Sequence, residues 1–240
     1  MPQLNTLFFD FDRTLRFSKT NWEDYAADYL DSIGYSSTRE NRRNSKRWTY
    51  QYFCSEEFTA DRSAGSSEKE FWELFNRKFV EHLLEDKKIA KNLTPDLIRL
   101  LNEEYFTQDL DFVPEDGIST LEILKKDGYK LGIITNRQTS ISGELDKLAL
   151  TKFFPHVIVS GQVGVQKPDP AIFQHAISIA DCAVENCVYV GDNYFADVIG
   201  ARNAGIQPIL IDPDSFFPEA DCPIIQKLSD LLPLLDSVLN

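Results

Sequence analysis

The first apolar run of the chain, "LFFDF" at residues 7–11, predicts a short buried strand. From Arg16 to about Phe112 the pattern turns helical. Trp22, Tyr25, Ala26, Tyr29, Leu30 and Ile33 recur three and four residues apart and make one apolar stripe. Thr20 and Glu23 have the spacing of a capping box at its start, and Gly34 closes it. "TADRSAGSS" at 59–67 is small and polar and predicts a loop. Ser67 and Glu70 then open a helix carrying Phe71, Leu74, Phe75 and Phe79, and a further helix is expected from Thr94 and Pro95.

From Val113 onward, strand and helix alternate. A helix runs to Lys126 and is stopped by Gly128; the strand "KLGIIT", a short helix and the strand "VIVS" follow. Asp169 and Pro170 start another helix, "CVYVG" is a strand, "FADVIGARNAG" a helix ending at Gly205, and "PILI" a last strand before a C-terminal helix. Strands this apolar, separated by helices, belong to a parallel sheet covered on both faces, a Rossmann-like, doubly wound α/β core. The connection from the first strand to "KLGIIT" is far longer than one crossover helix needs. Residues 1–15 and 113–240 are therefore expected to form the core, and 16–112 an inserted helical cap. In such a core, reactive groups gather at the carboxyl ends of strands.

Composition narrows the function. The 240 residues carry 25 Lys plus Arg against 38 Asp plus Glu, a net charge of -13, which disfavours a nucleic-acid backbone as partner. No run approaches the roughly 20 apolar residues of a membrane span, and the first residues lack the basic and apolar regions of an export signal, so a cytoplasmic location is expected. Cys54, Cys182, Cys187 and Cys222 are scattered and form no C-x-x-C pair, which fits reduced thiols; His82, His156 and His175 are isolated from one another and from any cysteine.

The chemistry starts from "DFDRT". On an extended strand Asp10 and Asp12 share a face, and their repulsion is worth several kcal/mol if both are desolvated. Compensation is available at the ends of the later strands. "TN" offers Thr135 and Asn136 for anion binding, and "QKPDP" supplies Lys167, a compact positive charge. "GDNYFAD" adds Asp192 and Asp197. Four carboxylates in one place are tolerable around a hard divalent cation, for which magnesium is the natural candidate.

These four motifs, in this order and with a helical insertion after the first, closely resemble the haloacid dehalogenase superfamily, in its phosphatase-like form with a helical C1-type cap. The resemblance implies that Asp10 attacks phosphorus to form an aspartyl-phosphate, while Asp12 protonates the leaving oxygen and then activates water. It implies magnesium between Asp10, the backbone carbonyl of Asp12 and Asp192, with Asp197 assisting coordination. Thr135, Asn136 and Lys167 would hold the phosphoryl oxygens. Two positions depart from the family's pattern: Arg13 stands where glycine is frequent, and Asn193 where a small residue is. Arg13 and Arg137 are candidates to reach the substrate.

The expected activity is magnesium-dependent hydrolysis of a small phosphate monoester, since a closing cap excludes macromolecules. Asp12 speaks against haloacids, and none of Lys19, Lys46, Lys69 and Lys78 has the apolar setting that a phosphonatase's Schiff-base lysine wants. A phosphomutase, a phosphonatase ranked below it, and a non-catalytic phospho-ligand binder remain alternatives, and monomer or homodimer is open. The basic face of Arg39, Arg42, Arg43, Lys46 and Arg47 either contacts a second anionic group or pairs with nearby acids.

Overall fold

The computed structural model describes residues 4–64 and 67–239. It divides into two compact units, Met1–Phe17 with Asp111–Asn240, and Ser18–Leu110. The strand β1 (Thr6–Phe9) opens the first unit, and β2 (Phe17–Ser18) ends that stretch.

The second unit is helical: α1 (Trp22–Ser32), α2 (Arg39–Tyr52), α3 (Glu56–Ala64), α4 (Glu68–Leu84) and α5 (Lys87–Leu100). The apolar stripes bury Ala26, Leu30, Phe79, Leu83, Ala90 and Leu97 together. Trp22 packs its ring 4.7 Å from Phe79 and 5.7 Å from Phe75. Local chemistry moves three expected boundaries. The N-cap of α1 is Asn21, because the carbonyl of Thr20 is taken by the hydroxyls of Ser18 and Tyr105, so no Thr20–Glu23 box forms. Residues 59–64 are helix and not loop: Ser55 accepts from the N–H of Phe58, and Glu56 and Glu57 favour the helix start. Ser67 does accept from Glu70 N, but α5 begins earlier than expected, at Asp86, whose carboxylate accepts from Lys88 N and Ile89 N and leaves Pro95 inside the helix.

The basic face on α2 is partly spent internally. Arg42 donates to Asp28 at 2.7 Å and Asp31 at 2.8 Å, and Lys46 to Asp24 at 2.6 Å, pinning α2 to α1.

After β3 (Asp111–Phe112) the first unit resumes with α6 (Glu115–Lys126), β4 (Lys130–Thr135), α7 (Ser142–Lys147), β5 (His156–Val159), α8 (Ser160–Val163) and α9 (Pro170–Ala180). β6 (Cys187–Gly191), α10 (Ile199–Asn203), β7 (Gln207–Ile211), the short β8 (Ile224–Ile225) and α11 (Leu231–Leu239) complete it. Six strands form one sheet in the order β5-β4-β1-β6-β7-β8, with every pairing parallel. Alternate residues serve opposite faces: Leu7, Phe9, Ile133 and Val190 pack with Leu121 and Leu124 of α6 and Leu231 of α11. Phe8, Ile134 and Tyr189 pack with Ile172, Phe173 and Ala176 of α9 and Ala201 of α10. This is the doubly wound α/β core that the strand and helix rhythm predicts. Among the described residues, no helix is long and apolar enough to cross a membrane.

Candidate active site

β1 and β6 are neighbours at the centre of the sheet; β4 and β5 extend it on one side, and β7 and β8 on the other. Such a reversal of strand order opens a crevice at the carboxyl ends of the strands. The register sets Phe9 against Val190, and Asp10 N donates to Val190 O at 2.8 Å. Asp10, the residue after β1, therefore emerges beside Asp192, the residue after β6.

A third carboxylate returns to the same place. Asn193 caps a π-helical turn at Tyr194–Val198, its Oδ1 accepting from Phe195 N at 2.9 Å and Ala196 N at 3.1 Å. The turn carries Asp197 back so that its Oδ2 accepts from Asn193 N at 2.9 Å. Gly191 makes room for it, because a Cβ there would lie 2.4 Å from Cγ of Asp197. Asp10, Asp192 and Asp197 are all buried, and one oxygen from each lies within 4.8 Å of the others.

Lys167 is the counter-charge. It is 2% exposed, and its ammonium donates to Asp10 Oδ1 at 2.7 Å, Asp197 Oδ1 at 2.7 Å and the Tyr189 hydroxyl at 2.8 Å. An ammonium has three protons, so all are committed. Burial alone would strip the charge from Lys167, but the two carboxylates outweigh it and hold its pKa above the ordinary lysine value. For Asp10, burial is the largest influence and pushes its pKa up to about 7, with Lys167 pulling down and Asp197 and Asp12 pushing further up. Three buried carboxylates against one ammonium leave an excess of two negative charges when all are ionised. All-oxygen donors with that excess fit a hard divalent cation.

Sequence reasoning missed Tyr189. Its hydroxyl takes the third Lys167 proton and lies 3.1 Å from both Ile134 O and Asp197 Oδ1. The signal was available: a tyrosine within a wholly buried strand must find a partner for its hydroxyl.

Other expected site residues have additional tasks. Asn136 uses both ends of its amide on the lysine backbone, Oδ1 accepting from Lys167 N at 2.8 Å and Nδ2 donating to Lys167 O at 2.9 Å, beside a cis Lys167–Pro168 bond. It clamps the loop that delivers Lys167. Thr135 is buried at the end of β4. Asp12 stands apart from the three-carboxylate group in its hydrogen bonding. Arg137 donates Nε to Oδ2 and Nη2 to Oδ1, each at 2.7 Å, and Arg16 Nη1 donates to Oδ1 at 2.6 Å. Burial opposes ionisation of Asp12, yet the two guanidiniums hold its pKa below the usual carboxylate value. Arg13 has a φ of 60°, the left-handed region that favours glycine, which gives the physical reason for glycine at that place.

The sequence profile described as haloacid dehalogenase-like hydrolase matches residues 7–211. A glyceraldehyde 3-phosphate phosphatase from Methanothermobacter thermautotrophicus is 39% identical over 104 residues, 43% of this chain and 46% of that protein. Pyrophosphatase PpaX from Bacillus mycoides is 36% identical over 131 residues, 52% of this chain and 60% of that protein. The chain thus spans about half the length of the curated relatives it matches. The crystal structure of the HAD-hydrolase YfnB from Bacillus subtilis, bound to magnesium, shares the fold with a TM-score of 0.61 at 20% identity, over 98% of this chain and 99% of that one. With a matching profile that runs from β1 through β7, the chain belongs to the haloacid dehalogenase-like hydrolase family.

Proposed function

We propose that the chain hydrolyses a small phosphate monoester through a phosphorylated Asp10. The observation that carries this reading is the position of Lys167, which ties one oxygen of buried Asp10 to Asp197 while a third carboxylate, Asp192, crowds the same point. An aspartate so placed is a fixed nucleophile with a cation already at its side. The phosphatase relatives support the substrate class, and the four motifs support the roles.

In this reading Asp10, Asp192 and the backbone carbonyl of Asp12 would hold a divalent cation, magnesium, with Asp197 assisting. When bound it neutralises charge on the transferring phosphoryl group. Asp10 attacks phosphorus as the ester P–O bond breaks, and Lys167 stabilises the charge that gathers on the phosphoryl oxygens. Thr135 and the backbone N–H groups after β4 bind those oxygens, and Arg13 and Arg137 reach toward the substrate. Asn136 acts on them through the Lys167 loop. Asp12 gives a proton to the leaving oxygen and then takes one from the water that opens the aspartyl-phosphate. Because Asp12 is forked by Arg137, it must exchange that partner for the substrate before it can act. Residues Ser18–Leu110 are the helical cap of this reading, and the partner is a small phosphorylated metabolite in the cytoplasm, not a nucleic acid or a membrane.

The test is phosphate release from p-nitrophenyl phosphate and a panel of small phosphate esters, in magnesium and in EDTA. Activity is expected only with the cation, and Asp10→Asn is expected to lower kcat by about 1,000-fold or more with the fold intact. No release across the panel, or an Asp10→Asn enzyme as fast as the parent, overturns the reading.

A further inference from the structure

Cys182 and Cys187 bracket the connection from α9 to β6, five residues apart in sequence and without a C-x-x-C spacing. The fold brings their sulfurs to 3.2 Å. Cys187 opens β6 and is buried, with Sγ donating to Ala183 O at 3.2 Å; Cys182 is partly exposed, with Sγ donating to Ile177 O at 3.7 Å. The segment between them is a single 3-10 turn at Val184–Asn186, none of it buried. A disulfide has its sulfurs about 2.05 Å apart, so bond formation asks for an approach of about 1 Å, which rotation of two side chains flanking a partly exposed turn can supply. Neither cysteine belongs to the carboxylate site.

We propose that Cys182 and Cys187 are a redox modification site that takes a hydroperoxide as oxidant and closes to a reversible disulfide. Cys182, the more accessible partner, attacks the O–O bond; its sulfur gains one oxygen as a sulfenic acid, and the peroxide leaves as one water. The Cys187 sulfur then displaces that oxygen as a second water, forming the S–S bond. Two thiols are oxidised by two electrons and one hydrogen peroxide is reduced to two waters, so atoms and electrons balance. The order follows from access: burial pushes the Cys187 thiol above the usual cysteine pKa, which suits a resolving rather than an attacking thiol. The bond joins the end of α9 to the start of β6. At their other ends these two elements lead from Lys167 and into Asp192, so the modification ties together the supports of both side chains. It stands whether or not the phosphatase reading holds.

The reduced, desalted chain is treated with a slight excess of hydrogen peroxide, denatured and alkylated. The expected product carries two alkylated thiols, Cys54 and Cys222, and weighs about 2 Da less before alkylation. Glutamyl endopeptidase cuts after Glu185, so Cys182 and Cys187 fall in separate peptides that run as one until dithiothreitol is added. In Cys187→Ser, oxidation is expected to stop at a sulfenic acid on Cys182 that dimedone traps. Four alkylated thiols after peroxide, a bond that includes Cys54 or Cys222, or a dimedone adduct only at those two positions overturns the proposal. Should Cys187→Ser not fold, Cys182→Ser serves instead: the 2 Da loss is expected to vanish, and its persistence overturns the proposal equally.

Discussion

Arg137 grips both carboxylate oxygens of Asp12, Nε on Oδ2 and Nη2 on Oδ1, each at 2.7 Å. A forked guanidinium is the geometry that best fixes a carboxylate in its charged form. The general acid of the proposed reaction is therefore held as a base until Arg137 lets go.

Arg137→Met keeps the bulk of the stem and removes the fork. Asp12 retains Arg16, so losing the Arg137 guanidinium is expected to let its carboxyl titrate at a higher pH than in the parent, with Arg16 still holding it down. A group that must be protonated in the free enzyme sets the descending limb of kcat/KM against pH. With an alkyl phosphate, whose leaving oxygen needs the proton, that limb should move to higher pH in Arg137→Met, whatever happens to KM. An unmoved limb would show that Arg137 does not govern Asp12.

Tyr189 holds the third proton of Lys167, and Tyr189→Phe removes that hydroxyl while keeping the ring that packs 5.0 Å from Phe173. A hydrogen bond to a charged group is worth about 1.5–3 kcal/mol, so a loosened ammonium should lower kcat by roughly 10- to 100-fold. KM should change by less than about threefold, because the tyrosine touches no substrate. Equal kcat values for the two proteins would leave Tyr189 as a packing residue only.

The sheet was legible because its strands are nearly continuous apolar runs, and a run such as "KLGIIT" in this rhythm has few other uses. Asp10, Lys167, Asp192 and Asp197 were legible as a group because Asp10 and Asp192 directly follow strands, and the motifs that carry Lys167 and Asp197 lie in the segments after β5 and β6. Details that depend on a distant partner were not. Asn136 has the chemistry of an anion ligand, and only the fold shows its amide spanning Lys167 N and O. Thr20 and Glu23 have capping spacing, yet a long-range bond from Tyr105, joined by a local one from Ser18, claims the carbonyl of Thr20. Residues 59–64 were lost to composition, since small polar residues after a serine cap and two glutamates make a helix as readily as a loop. Cys182 and Cys187 escaped because sulfur proximity across a turn of this length has no spacing rule.

Gly191 has no Cβ because Asp197 occupies the space, at 2.4 Å from Cγ and 2.6 Å from Cβ of that side chain. The obstacle includes the root of the side chain and not just its flexible tip. Gly191→Ala should therefore displace Asp197 from Lys167, costing about 1–3 kcal/mol of stability by overpacking and about 100-fold in kcat by misplacement. Thermal unfolding and steady-state rates on the same preparation check both figures. A stable protein with parental kcat would mean that the lysine is held well enough without Asp197.

The raised pKa of Asp10 makes cation binding depend on pH in a definite direction. The carboxyl titrates at 3.8 when unperturbed and at about 7 in the fold. Between those values the folded chain holds a proton that the unfolded chain has lost, so this group makes stability fall as pH rises through the window. A cation needs the ionised carboxylate and competes with that proton. Its affinity should drop about tenfold for each pH unit below 7, which corresponds to about 1.4 kcal/mol per unit. The rise in unfolding temperature produced by magnesium over EDTA should consequently be small at pH 5.5 and large at pH 8. Calorimetric titration at pH 6 in buffers of different ionisation heat should detect about one proton released per cation bound. Asp10→Asn removes the titrating group, and with it the steep pH dependence. A magnesium-induced shift of equal size at both pH values would show that the proton on Asp10 is not what the cation displaces.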